Sequence, residues 1–392
     1  MTPIQTVLGI LISIGIPLGF LGIVYILDMY GSRTTRLVLI SFGWGGIGGL
    51  GLAFAFNTYV AIPLIARLNL SYLLLFVAFA PVAEELLKSL SLLYISRQPE
   101  FTYFVDGAIY GFAAGIGFAI SENLLYMTLY PDQGIATYLV RGFSTCLMHG
   151  TAAALVGGAV GLFRFRKRSS RWLAMVGGWA AAIFLHVVFN SVSNSGALSQ
   201  TVILVVLVFI GLAGVGLIAT FISLGLREQR KWMEETLDRQ MGVSGAEVRA
   251  AQSFSSIDEL LEPIIQQFPK KGELIEKLLL SQAKMGIKRK VQLQVQDPKL
   301  EKQLGEEIAR LQDEMERLRK EIGPYVMVFV RTVFPEGVLD LWAQVIERMA
   351  MHDDGVFDEQ DRATWKRHLK AEEEKPFERR GGLYDLGARI KE

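Results

Sequence analysis

The chain has 392 residues, a formal net charge of +1 and a mean hydropathy of +0.34, which is typical of a membrane protein. Its single cysteine, Cys146, excludes an internal disulfide framework. The charges are uneven: residues 1–224 hold 11 Lys and Arg and 7 Asp and Glu, whereas residues 225–392 hold 29 and 32. The apolar residues 1–224 are expected to lie in a lipid bilayer. Because the sequence has no basic surface that would track nucleic acid, we expect no nucleic-acid partner.

Seven segments reach the length of about 20 apolar residues that crosses a bilayer. We therefore predict an all-α fold, with a polytopic bundle of about seven transmembrane helices in residues 1–224 and a charged, mainly helical soluble domain in residues 225–392. The predicted spans are residues 4–27, 37–56, 71–95, 104–129, 139–163, 172–192 and 201–224. Residues 57–70 are mixed and contain Pro63, so we expect them at the membrane interface.

The basic residues predict the orientation. Lys and Arg concentrate after the first, fifth and seventh spans, whereas the loops at residues 131–138 and 193–200 have none. Since basic loops stay in the cytoplasm, we predict a multi-pass protein of the cell membrane with its N-terminus outside and its C-terminus in the cytoplasm. Within the bundle, Gly107, Gly111 and Gly115 recur at four-residue spacing, which predicts a close approach of two helix backbones.

The third span carries Glu84, Glu85 and Lys88 near its middle, where each charge costs about 3 kcal/mol on insertion scales. Lys88 lies four residues after Glu84, so we expect it to offset that carboxylate and leave Glu85 without a partner. Two adjacent carboxylates in a poorly hydrated site resist ionising together, which suits proton exchange with water. A structural ion pair is the alternative. Pro81, one turn earlier, predicts a kink.

Later spans add further polar residues. Glu122 is in the fourth span, His149 in the fifth, and His186 and Asn190 lie one turn apart in the sixth. Counted along the predicted helices, all of them fall between the midplane and the outer face, as do Glu84 and Glu85. We therefore expect one water-accessible pocket in the outer half of the membrane.

This set of residues suits hydrolysis of a peptide bond, because a carboxylate can activate water while imidazole and amide groups stabilise the oxyanion. A nucleophilic mechanism through Ser144 or Cys146 is an alternative without an evident base. Zinc is a second alternative, since Glu and His are zinc ligands and Cys146 and His149 share a helix face, although no HExxH motif is present. We expect no cofactor.

The segments EELLK, FAISE and HVVFN, with an isolated His149 between the last two, resemble the PrsW family of intramembrane proteases. That family is related to the CAAX prenyl endopeptidases and to bacteriocin-processing membrane proteases. Lys88 and Glu122 depart from the prenyl endopeptidase pattern, which would place an arginine and a histidine there, and both fit PrsW. The resemblance covers about residues 70–195.

The resemblance also implies roles and a substrate. By this resemblance, Glu84 and Glu85 activate the catalytic water, and Glu122 and His149 assist them. It also implies that His186 and Asn190 hold the oxyanion and that Lys88 has a supporting role. The implied substrate is a membrane-tethered protein like an anti-sigma factor, cut at site 1 near the outer face. From the residues alone, a proton-coupled transporter and a non-catalytic receptor remain open.

The charged domain has a heptad stripe from Leu300 to Ile322. It predicts either an amphipathic helix packed on its own domain or a short coiled coil at residues 300–322, through which a homo-oligomer or a cytoplasmic partner would bind.

Overall fold

The computed structural model describes residues 3–26, 35–131, 134–165, 168–237 and 271–333, together with the single positions 243, 248, 251 and 268. Within these residues every regular element is a helix, so the predicted all-α membrane bundle is confirmed. The elements are α1 (Pro3–Ile26), α2 (Thr35–Arg67), α3 (Ala80–Lys88), α4 (Leu90–Ile95), α5 (Phe104–Leu129), α6 (Ile135–Leu162), α7 (Arg168–Ser193), α8 (Gln200–Thr236), α9 (Gly272–Gln294), α10 (Pro298–Ile322) and α11 (Pro324–Val333).

The number of continuous spans differs from the prediction. In the described part of the chain, six helices are long and apolar enough to cross a membrane: α1, α2, α5, α6, α7 and α8. The third predicted span is instead broken into a π-helical turn at Leu75–Phe79, then α3, then α4. Among the described residues there are thus six long apolar helices, and the segment predicted as the remaining span is interrupted.

Two residues account for the breaks in the third segment. Pro81 lacks a backbone N–H and lies in the first turn of α3, where that donor is not needed. Ser89 separates α3 from α4, and its hydroxyl donates to the Leu86 carbonyl while accepting from Trp179 of α7 at 2.7 Å. Because the break is buried against protein, its backbone is compatible with a position at membrane depth.

Helix α2 is longer than predicted. It continues through residues 57–67, which the sequence placed at the membrane interface, and the depth of these residues stays a prediction. Ala61 and Ile65 are fully buried and pack with Leu75 and Phe79 of the third segment. Residues 57–67 therefore have a buried apolar face. The average polarity of the segment does not reveal this face.

Helices α5 and α6 form the centre of the bundle. In the most apolar 18-residue stretch of each helix, 89% of the residues of α5 and 78% of those of α6 are buried, compared with 28–33% in the other four long helices. A Cβ atom built at Gly107, Gly111 or Gly115 of α5 would overlap a backbone carbonyl of α6. The predicted close approach is thus confirmed, and it brings His149 of α6 next to α5.

We expect a substitution of Gly111 by leucine to destabilise the protein by about 3 kcal/mol or more, because the backbone of Ala153 cannot move aside as a side chain would. Gly216→Leu is the matched control, since a Cβ there meets nothing within 4 Å. Unfolding midpoints of the purified proteins in detergent would measure the difference. Equal midpoints for the two variants would contradict this packing.

The chain divides into two compact units, one of residues 1–236 with 283–311 and the other of residues 237–282 with 312–392. In the first, the Thr236 hydroxyl donates to the Gly286 carbonyl at 2.8 Å. In the second, Lys271 donates to the Glu321 carbonyl at 2.5 Å. The predicted boundary at residue 224 falls inside α8, and the domain division stays a prediction.

The heptad stripe lies on α10, where Leu304, Ile308, Met315 and Ile322 are each 6% exposed or less within a single chain. Burial of this kind favours a helix packed on its own chain. A coiled coil between chains stays a prediction.

Candidate functional site

Four helices bring six predicted residues into one buried cluster. Helix α3 supplies three of them, and α5, α6 and α7 supply one each. The six are Glu84, Glu85, Lys88, Glu122, His149 and His186. The His149 and His186 rings lie edge to face with centroids 4.8 Å apart, at the centre of the cluster. We call these six residues the polar cluster.

Glu85 is the anchor of the polar cluster. Its Oε1 atom accepts from Lys88 Nζ at 2.8 Å and lies 2.7 Å from His186 Nδ1, and its side chain is completely enclosed. The expectation that Lys88 pairs with Glu84 was wrong, because Lys88 turns toward Glu85 at i,i+3. The reason is tertiary: Lys88 also lies 2.7 Å from His149 Nδ1 across the interface with α6.

The tautomers of both histidines follow from these contacts. An ammonium group only donates, so His149 Nδ1 accepts from Lys88 and the ring proton of neutral His149 lies on Nε2, 3.4 Å from Glu122 Oε2. A carboxylate only accepts, so His186 Nδ1 donates to Glu85. In neutral His186, the Nε2 lone pair then faces Glu84 Oε2 at 3.8 Å.

Arg141 is a member of this region that the sequence reasoning missed. It lies in a π-helical turn of α6, Arg141–Thr145, and its Nη2 donates to Glu122 Oε2 at 2.8 Å. Its Nε donates to Asn123 at 3.0 Å, and its guanidinium covers the Tyr126 ring at 4.0 Å. A basic residue near the start of an apolar span was the available signal.

Glu84 differs from the other two glutamates. Its side chain is 11% exposed, compared with 0% for Glu85, so solvent reaches Glu84 and not Glu85. Its Oε2 atom is buried without a hydrogen-bond partner among the described residues, and the same holds for Oε2 of Glu85. Glu122 is 25% exposed, but Arg141 already neutralises it. Glu84 is therefore the carboxylate of the cluster that is partly exposed and is not held by a Lys or Arg among the described residues.

Glu84, His149 and His186 each offer one atom suited to a metal ion, and these atoms lie within 4.8 Å of one another. Two imidazoles and one carboxylate are a known zinc donor set, and Glu85 orients His186 as outer carboxylates orient zinc-binding histidines. However, Lys88 occupies the His149 Nδ1 lone pair, and Nε2 carries the proton. In the tautomers above, Glu84 and His186 keep a free lone pair for a metal ion, whereas neutral His149 does not.

The remaining predicted or considered residues lie apart from the hydrogen bonds of the cluster. Asn190 donates to the Phe76 carbonyl of the broken third segment at 2.8 Å, and so ties α7 to that segment. Cys146 Sγ lies 3.4 Å from Asn123 Nδ2. The Ser144 hydroxyl is buried without a hydrogen-bond partner among the described residues. Among the described residues, neither candidate nucleophile hydrogen-bonds to an imidazole.

Comparison with known proteins gives consistent results. The model of the family described as PrsW family intramembrane metalloprotease matches residues 33–215. The chain is similar to "Protease PrsW" of Bacillus subtilis, 31% identical over 42% of this chain and 75% of that protein, and to "Protease PrsW" of Halalkalibacterium halodurans, 25% identical over 44% and 74%. No solved structure matches. The matched region contains the whole polar cluster, and the chain belongs to the PrsW family of membrane-embedded proteases.

Proposed function

We propose that this membrane protease hydrolyses a peptide bond of a membrane-tethered protein, of the anti-sigma-factor type, by water that Glu84 activates. One observation carries the proposal: in the polar cluster, the Glu84 side chain is 11% exposed and no Lys or Arg of the described residues holds it, while Glu85 is enclosed and held by Lys88 and His186. A general base must be reachable by water and free to accept its proton.

The neighbouring groups support this division of labour. Glu84 takes a proton from the attacking water and passes it to His186 Nε2, which lies 3.8 Å from Glu84 Oε2, and the Glu85 carboxylate stabilises the resulting positive charge on His186. His186 is then placed to return that proton to the leaving amine. His149 presents its Nε2–H toward the opening at Glu122, where it can donate to a developing oxyanion.

The proposal gives Glu85 and Lys88 a positioning role rather than a chemical one. Their ion pair is fully buried and fixes the two imidazoles, one through each partner. This refines the expectation that both adjacent glutamates activate water.

A zinc ion at Glu84 and His186 would supply a Lewis acid for the water and the scissile carbonyl. We expect that thorough treatment with EDTA or phenanthroline leaves cleavage within about twofold of its starting rate, since a carboxylate base needs no metal. The assay is the cleavage of a purified single-span substrate before and after chelation. Loss of cleavage that zinc restores would contradict the glutamate mechanism and assign Glu84 and His186 as ligands.

The side of the membrane follows from the orientation predicted by the basic loops. We expect reporter enzymes fused at Gly134 and Arg168 to read outside and inside, respectively, because the loop that contains Arg168 is the basic one. The cluster would then open in the outer half of the bilayer. The opposite reading at both positions would move the site, and the cleavage position in the substrate, to the inner half.

A further inference from the structure

A cavity of about 800 Å³ lies away from the polar cluster, within the unit of residues 1–236 and 283–311. Its walls come from the end of α4, the end of α6, the start of α7, and the turn between α9 and α10. Arg97, Arg164, Arg171 and Lys299 line it, and Asp297 is the acidic residue among the lining residues. Four cations against one carboxylate give the cavity a clear preference for an anion.

Arg164 is the central residue of this cavity. It is 7% exposed, and its Nη2 donates to the Gln98 carbonyl at 3.0 Å while its Nη1 is buried without a hydrogen-bond partner among the described residues. Its guanidinium carbon lies 5.1 Å from the Phe101 ring centroid. Burial lowers the pKa of Arg164 to about 10, so the group keeps its charge at neutral pH.

A buried, charged donor without a partner is costly, and an anionic oxygen on the ligand would remove that cost. An arginine fork matches the paired oxygens of a phosphate group. The Asp106 carboxylate, which accepts hydrogen bonds from the backbone amides of Thr102 and Tyr103, offsets part of the Arg164 charge electrostatically. The unpartnered Nη1 of Arg164 and the surplus of basic lining residues favour an external anion in the cavity.

Apolar residues also line the cavity, among them Leu93, Val160, Trp172 and Met175. Trp172 is 49% exposed and lies in the second turn of α7, at one end of the predicted span, where tryptophan is enriched at membrane interfaces. An anion with an attached hydrocarbon chain fits a lining that holds both basic and apolar residues. A free phosphate would use the basic residues only.

We propose that this cavity binds the phosphate group of an anionic phospholipid from the leaflet at the basic end of the bundle. In this site, Arg164 Nη1 donates a hydrogen bond to the headgroup phosphate, and Arg97 and Arg171 lie around the phosphate. An acyl chain packs along Trp172 and Met175. This site is separate from the proposed chemistry, so the two can fail independently.

The test uses the purified full-length protein in detergent and measures its unfolding midpoint in three arms: added phosphatidylglycerol, added phosphatidylcholine and inorganic phosphate. We expect only phosphatidylglycerol to raise the midpoint. The double variant Arg97→Gln/Arg171→Gln, in which both residues are exposed, should bind it at least fivefold more weakly. The control Arg227→Gln/Lys231→Gln removes the same charge from α8, outside the cavity.

Three results would overturn the proposal. An equal effect of phosphatidylcholine would show unspecific stabilisation by lipid, and an equal effect of inorganic phosphate would assign the site to a soluble anion. An unchanged affinity in the double variant, or an equal loss in the control, would remove the cavity as the site.

Discussion

Replacing Glu84 with glutamine is expected to lower the rate of substrate cleavage by about a thousandfold, within the range that a general base contributes. The amide has the same shape but cannot accept the proton of the attacking water. Since Glu84 Oε2 has no partner in the described structure, the fold loses little. Cleavage of a single-span substrate by purified protein measures the effect, and the unfolding midpoint reports the fold.

Glu100→Gln is the matched control, because Glu100 lies in the loop between α4 and α5, outside the polar cluster, and its substitution should leave the rate within about twofold. A Glu84→Gln protein that keeps more than about a tenth of the wild-type rate would contradict Glu84 as the general base. If Glu122→Gln instead removed activity with Glu84→Gln active, the base would be Glu122.

The second large effect is on stability. Lys88→Met should destabilise the protein by about 3–5 kcal/mol, because it leaves the enclosed Glu85 carboxylate without its ammonium partner. Adding Glu85→Gln to the same protein removes that charge and should restore a large part of the loss. Unfolding of the two single variants and the double variant in detergent gives the coupling energy directly.

The control for this cycle is Lys231 with Glu228, a pair that lies 3.9 Å apart and is 69% and 38% exposed. Lys231→Met should cost less than about 1 kcal/mol, as exposed pairs do. If the losses in unfolding free energy from Lys88→Met and Glu85→Gln are additive in the double variant, the two residues are not energetically coupled. That result would contradict the buried ion pair.

The residues of the polar cluster could be predicted because charged and imidazole groups are rare in apolar spans and therefore stand out. Their depth along each helix placed them at one level of the membrane before any contact was known. The glycine contact of α5 with α6 was likewise readable, since small residues at four-residue spacing leave room for only one kind of packing.

The pairing within the cluster could not be predicted. From α3 alone, Lys88 reaches Glu84 and Glu85 about equally, and the choice depends on His149 of another helix. Asn190 shares a helix face with His186, but it bonds to the Phe76 carbonyl in the π-helical turn before α3. The separate break after α3 depends on local hydrogen bonds at Ser89, which a hydropathy average over 20 residues cannot register.

The most direct measurement incubates the purified protein with a panel of single-span membrane proteins and determines the fragment masses by mass spectrometry. The polar cluster as a peptidase site predicts one pair of fragments whose new ends lie in the outer half of the substrate's span, formed by the wild type and not by Glu84→Gln. Fragments formed equally by Glu84→Gln, or new ends in the inner half of the span, would contradict it.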